Sequence, residues 1–298
     1  MIRIELNIEL NYTIDDDNAD FVFNIHAAHT SRQTVSNEQL HISQPVDAQV
    51  HTDPATGNRY MRLRASAGPL QLRYAATVDI AHHVAEPASI AEVPVHRLPP
   101  ETMGYIYPSR YCQSDRLLQM ASNRFGHLPQ GYARVQAIRD WVNNHVAYAA
   151  NTTNGNTSAL DTLIEEVGVC RDFAHLMVAI CRACNIPARF TTGTDYGADP
   201  LRGPPDFHAY VEAYLGDRWY IFDPAGTAIP MGFVRFGTGR DAADVAFATI
   251  FGNVQTQAPL IRAVALEIPS LGIQRPGHCA QALSTDGGAT TAVTDRWP

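Results

Sequence analysis

The period of the hydrophobic residues changes once along this chain, and that change restricts the possible folds more than any other feature. Through the first hundred residues apolar side chains return at every second position. "IRIELNIELNYTI", "YMRLRA" and "LQLRYAATVDI" alternate, and "FVFNIHAA" is strand-like. Alternation sends one set of side chains to a single face of a half-buried strand. Turn-forming runs such as "DPATGN" and "SAGP" lie between these segments. The pattern predicts an antiparallel β-sandwich or barrel over residues 1–104, closed by a proline-rich connection around "EVPVHRLPPET".

Beyond that connection the period becomes helical. "SDRLLQMASNRF" predicts a helix capped by Ser114 or Asp115, and "GYARVQAIRDWVNNHVAY" places Val135, Ile138, Val142 and Val146 on one stripe. Ser158 opens a short helix with Asp161 at the capping-box position. "CRDFAHLMVAICRAC" is apolar on nearly every side, the mark of a buried central helix, and "NIP" ends it. Strands are expected at "ARFTTGTDY", "HAYVEAYL", "RWYIFDP" and "LIRAVALEI", with a short helix near "RDAADVAFATIF". The expected organisation is a β-domain over 1–104, an α+β core over 105–270, and a small, polar extension over 271–298, loosely ordered from about Ser284.

Composition limits the functional classes. A net charge of −8, with every one of the 22 basic residues an arginine, disfavours nucleic acid and anionic membranes as partners. The N-terminus lacks the basic and apolar regions of a signal peptide, and no apolar run reaches the ~18 residues of a membrane span. Five cysteines are an odd number at low density, so a reducing cytoplasm is the expected location.

The chemistry concentrates in three residues. If residues 216–217 form a two-residue hairpin turn, Leu215 pairs with Arg218 and Asp223 lies opposite Tyr210. His208 and Asp223 are then diagonal neighbours on one face, roughly 5–8 Å apart at Cβ. A three-residue loop would put them on opposite faces. A carboxylate at that distance can hold one imidazole nitrogen and leave the other to a nucleophile. Cys170 stands at a helix start, where the dipole and unpaired N–H groups favour a thiolate. Such a pair attacks carbonyl carbons, with the Cys170 N–H available to the developing oxyanion. Singly, each residue has a plain structural reading: a cysteine packing a core, a hydrogen-bonded histidine, an aspartate ending a strand before proline. Their combination points to acyl transfer through a thioester.

Other clusters carry less. Cys181 and Cys184 have metal-ligand spacing but sit in an apolar helix without a second pair, and Cys170 lies ~16 Å from them along the axis. His82 and His83 are expected to point to opposite faces of a strand. The acidic run at 15–20 lacks the glycine and terminal glutamate of a calcium loop, and no glycine-rich phosphate loop is present. No cofactor or metal is expected.

"GVCRDFAH", "NIPARF" and "DFHAYVEAYLGDRWYIFDP" together resemble the core of the transglutaminase-like superfamily. With "YPSRYCQSDRL" upstream and "GRDAADVAFATIFG" downstream, the chain is similar to the bacterial subgroup named as cysteine proteases, which carries a β-sandwich ahead of the core. The resemblance implies a papain-like arrangement, a nucleophile helix packed on an antiparallel sheet. It also implies roles: Cys170 as nucleophile, His208 as general base and Asp223 as orienting acid. Ala209–Tyr210 replaces the Trp-Phe pair of many relatives, and "FDP" stands where many have "FDA". The loop over 151–157 is a candidate for a side-chain oxyanion donor. The expected substrate is a peptide, protein or other amide. Hydrolysis is favoured, with transamidation to a primary amine or a non-enzymatic interaction module as alternatives.

Overall fold

The structure, a computed structural model, describes residues 1–15, 17–194, 196–198 and 205–287. The opening alternation becomes β1 (Ile2–Ile14), whose even-numbered side chains are all buried. β2 (Ala19–Phe23), β3 (Gln33–Ile42), β4 (Gln49–Thr52), β5 (Arg59–Ala65) and β6 (Gly68–Ile80) follow. β1 and β6 pair antiparallel along their whole lengths, from Ile2 opposite Ile80 to Ile14 opposite Gly68. This register keeps both apolar sets on one face. After β7 (His83–Ala85) and several proline-bearing 3-10 turns come α1 (Leu118–Phe125), α2 (Tyr132–His145), β8 (Ala147–Tyr148), α3 (Ala159–Glu165) and β9 (Val167–Gly168). The central helix α4 (Cys170–Ala183) leads into β10 (Ala188–Thr194), β11 (Phe207–Leu215), β12 (Arg218–Phe222) and β13 (Arg235–Gly239). The chain continues through β14 (Ala248–Phe251), β15 (Val254–Thr256), β16 (Leu260–Leu266) and β17 (Ala282–Ser284).

Two sheets form the sandwich. In one, β15 and β16 both flank β1, followed by β6 and β3; the other runs β14–β2–β5–β4. Ile4, Leu6, Phe21, Phe23, Leu63, Leu72 and Tyr74 share the core between them. The third sheet, β12–β11–β10–β13, is antiparallel throughout. One face packs on α4 through Ala209, Val211, Ala213 and Phe190. The other carries Tyr210, Ile221 and Phe233. Every residue of α4 from Asp172 to Ala183 is buried, as its all-round apolar pattern requires. The fold is mixed α and β, with the helix that begins at Cys170 packed against an antiparallel sheet.

Several local expectations hold. Val135, Ile138, Val142 and Val146 are buried, and Ser158 and Asp161 form a reciprocal cap on α3. Others are corrected. Neither Ser114 nor Asp115 caps α1. The Ser114 N–H bonds the Cys112 carbonyl at 2.9 Å inside a 3-10 turn, and the helix starts four residues later. No helix forms near 240–251. Asp244 accepts the Arg240 N–H and its guanidinium, closing a turn, and Ala248–Phe251 pairs with β2 instead. Pairing partners decide such short apolar runs over local preference.

The strands over 248–266, placed with the core by their position in sequence, pair with β1 and β2 and complete the sandwich. The described part of the extension, 271–287, is tied down: Ala282–Ser284 pairs with β7, and Thr285 is buried. Residues 288–298, where a loose tail was expected, lie outside the described residues.

Two carboxamides join sandwich and core along the free edge of β13. Gln33 accepts the Arg235 N–H at 2.9 Å and donates to the Arg235 carbonyl at 2.9 Å. Asn58 does the same for Thr238, at 2.9 and 2.8 Å. Each amide satisfies a backbone donor and acceptor as a neighbouring strand would, so this edge is covered without a further strand.

Two buried histidines predict an acid limit. Burial lowers the pKa of His26 to about 4. His175, fully buried, accepts the Ala242 N–H at Nε2 (3.1 Å), and burial holds it well below its ordinary value. Below pH ~6.5 the unfolded chain binds protons that these native side chains refuse. Stability is therefore expected to fall as pH drops from about 6.5 toward 4, by up to ~1.4 kcal/mol per pH unit for each histidine. Urea midpoints across that range check this, and a flat profile would contradict it.

Candidate active site

Cys170 is the first residue of α4, and the segment before it explains the position. β9 pairs in parallel with β8, and Val169 leaves it fully extended (φ −111°, ψ 176°) before the helix begins. Asp172, three residues on, folds its carboxylate back. Its Oδ2 accepts the Val169 N–H at 3.0 Å and the Thr153 hydroxyl at 2.7 Å. Gly168 permits this, since a Cβ there would sit 2.7 Å from the Asp172 Cβ. Arg171 donates from Nη2 to the Asn154 carbonyl at 2.9 Å and to Asp172 Oδ1 at 2.9 Å. The 151–157 loop is thus fastened to the first turn of α4. The Asp172 and Phe173 N–H groups both bond the Val169 carbonyl, whereas those of Cys170 and Arg171 have no partner among the described residues, so the half-buried thiol stands beside two free N–H donors.

His208 reaches the thiol from β11. The observed hairpin pairs Leu215 with Arg218 and Val211 with Phe222 around a turn at Gly216 (φ +61°), the two-residue geometry expected from the sequence. His208 Nε2 and Asp223 Oδ1 are 3.2 Å apart, and both side chains are buried. The ring packs on Phe233, centroid to centroid 4.9 Å, and Cys170 lies near enough to act on the His208 charge. Nε2 is occupied by Asp223, which leaves Nδ1 as the ring nitrogen without that partner. Burial by itself would lower the pKa of His208. The Asp223 charge and hydrogen bond, with Cys170 close by, outweigh it and hold the imidazole up at about 10.

Asp223 follows directly on β12. Its Oδ1 also accepts the Ala225 N–H at 3.2 Å, whereas Oδ2 accepts no hydrogen bond from the described residues. A groove of about 770 Å³ opens beside it, walled by Tyr132 and Gln136 of α2, Ala228 and Met231, and Gln281 and Leu283 of the C-terminal segment. Of the three residues singled out from the sequence, His208 and Asp223 are in direct contact, and Cys170 lies at the start of α4 near the imidazole. Cys181 lies in the core at the far end of α4, where burial raises its thiol pKa well above the ordinary value.

Some residues around the site had little or no sequence signal. Asp172 had one, an acidic residue three positions after the helix boundary. Asn143, which bonds the turn after Asp223, and Asp286, which reaches the rear of the sheet, had none, because their partners are far away in the chain.

Comparison with known proteins identifies the family. Residues 2–101 match the family model for the bacterial transglutaminase N-terminal domain, and residues 119–224 match that of the transglutaminase-like superfamily. A crystal structure of a "Putative Cysteine Protease" from Cytophaga hutchinsonii superposes with a TM-score of 0.88 at 37% identity, covering 95% of this chain and 97% of that one. An uncharacterized protein of Mycobacterium leprae is 30% identical over 146 residues, spanning 47% of this chain and 52% of that protein. One from Mycobacterium tuberculosis is 29% identical over 125 residues, 37% of this chain and 40% of its own length. The chain thus spans about half the length of the curated relatives it matches, or less.

The chain belongs to the transglutaminase-like superfamily, with the bacterial N-terminal domain in front of its core.

Proposed function

We propose that this protein hydrolyses peptide or amide bonds through a thioester on Cys170. One observation carries the reading. His208 bonds Asp223, and Cys170, at a helix N-terminus, lies near enough to the imidazole to favour its charged form. The Cys170 thiolate attacks the carbonyl carbon, forming a C–S bond while the carbonyl π electrons move to oxygen. Backbone N–H groups at the start of α4 receive that oxyanion. Collapse breaks the C–N bond, and His208 protonates the departing amine. His208 then takes a proton from water as the water oxygen attacks the thioester, and Cys170 leaves with the acid product formed. Asp223 holds the imidazole in one tautomer and stabilises its charged form. The five unpaired thiols support a reducing compartment such as the cytoplasm.

Transamidation follows the same first half-reaction, with a primary amine in place of water. The cysteine-protease name of the C. hutchinsonii relative favours water. Digestion of a peptide library with and without a primary amine separates the two by mass, as free acid or amide product. The site itself is tested by iodoacetamide. Alkylation of Cys170 is expected to be fast at pH 6 and to become slow in His208→Ala. An ordinary thiol pH profile, indifferent to His208, would sink the reading.

A further inference from the structure

Asp223 is held less firmly than its role demands, and this directs attention to the turn that follows it. Its carboxylate has two partners among the described residues, His208 and the Ala225 N–H, both on Oδ1. The Ala225 N–H is thus the backbone contact that aims the carboxylate, and its position depends on the course of residues 223–226. That turn is gripped from outside. Asn143, on α2, donates from Nδ2 to the Pro224 carbonyl at 2.9 Å and to the Ala225 carbonyl at 3.0 Å. Both hydrogens of the amide are spent on two successive carbonyls. The approach is close enough to require glycine next in the chain. Gly226 has φ +61°, and a Cβ there would lie 3.0 Å from Asn143 Nδ2. The opposite side of the turn faces the groove, since Asp223 and Gly226 both line it. Among the described residues, no other group donates to these two carbonyls.

We infer that Asn143 is a positioning residue of the site: its carboxamide fixes the 223–226 turn, and through the Ala225 N–H fixes Asp223 against His208. The inference rests on the proposed Cys170–His208–Asp223 chemistry. Asn143 makes no hydrogen bond to Cys170 or His208 among the described residues, so its route to the reaction runs through Asp223. A carboxylate displaced by about 1 Å costs on the order of 100-fold in rate.

Asn143→Leu keeps the volume, adds no charge and removes both donors. It is expected to lower kcat about 100-fold with KM changed less than about threefold. The pH profile of Cys170 alkylation should also move, its alkaline limb shifting down by a pH unit or more as His208 loses its fixed partner. Asn143→Ala, which adds no bulk, should do the same if the leucine variant does not fold. In an Asp223→Asn background the Asn143 substitution should have almost no further effect on kcat, because its route to the site is already cut.

A lower melting temperature with an unmoved pH profile would make Asn143 merely structural and overturn the inference. Additive losses in the double variant would overturn it too. If wild-type Cys170 itself alkylates like an ordinary thiol, the underlying reading fails instead, and the two failures are distinguishable.

Discussion

Asp223→Asn is expected to leave the fold intact and lower kcat by about 10⁴-fold, the scale seen when a buried triad carboxylate becomes an amide. The local geometry accounts for the size of the effect. His208 is buried and would be deprotonated by burial alone, and the Asp223 charge is the largest influence opposing that. An asparagine can still bond Nε2 but supplies no charge, so the imidazolium that must form during catalysis loses its stabilisation. The substitution should also lower the His208 pKa from about 10, drawing the alkaline limb of the rate profile toward neutrality. Peptide turnover and alkylation measured from pH 5 to 10 test both parts. A variant within tenfold of wild type would remove Asp223 from the mechanism.

The stability side has its own sign. A histidine whose folded pKa is raised contributes stabilisation that is full below the unfolded value of ~6.5 and is lost as pH rises toward about 10. In the Asp223→Asn protein that alkaline loss should be much smaller.

The second large effect is expected at Asp286, far from the thiol. On the rear of the third sheet, Arg189 Nε donates to Glu212 Oε2 at 2.7 Å, and Arg235 Nη1 donates to Asp286 Oδ1 at 3.0 Å. Arg189 also pairs with Asp286. Two buried guanidinium groups thus face two carboxylates, one of them delivered by the C-terminal segment. Burial would push the Asp286 pKa up, but Arg189 and Arg235 overcome it and hold the carboxyl well below its ordinary range. Asp286→Ala leaves Glu212 alone to balance both arginines. Breaking a buried ion network from one side typically costs about 3–5 kcal/mol, and denaturant unfolding should show a loss of that order. Since the Asp286 pKa is depressed, its contribution is present above the ordinary carboxylate pKa and disappears in acid, so the difference from wild type should shrink below pH ~4. A variant within 0.5 kcal/mol of wild type would mean that solvent reaches the two arginines and supports them.

Much of the site could be read in advance because its logic is local. One turn at 216–217 sets the hairpin register, and that register brings His208 and Asp223 together whatever surrounds them. Cys170 was legible for a related reason: a glycine before it and an apolar run after it mark a helix start. The bracing of the site was not legible. Asn143 and the turn it grips are about eighty residues apart in sequence, and α2 would carry the same apolar stripe with any polar residue at that position. The same holds for β14, β15 and β16. Their short alternating runs fit several partners, and the open edges of β1 and β2 selected them.

By itself, then, the sequence determined the class of most elements, the register of the hairpin and the meeting of His208 with Asp223 at its end. Each depends on a period or a turn spanning a few residues. Only the tertiary structure decided which edge each late strand joins, how two carboxamides cover β13, and that Asp286 closes a charge cluster behind the sheet. Those outcomes turn on buried polar groups finding partners, and a buried donor or charge takes whichever partner the packed chain brings within reach.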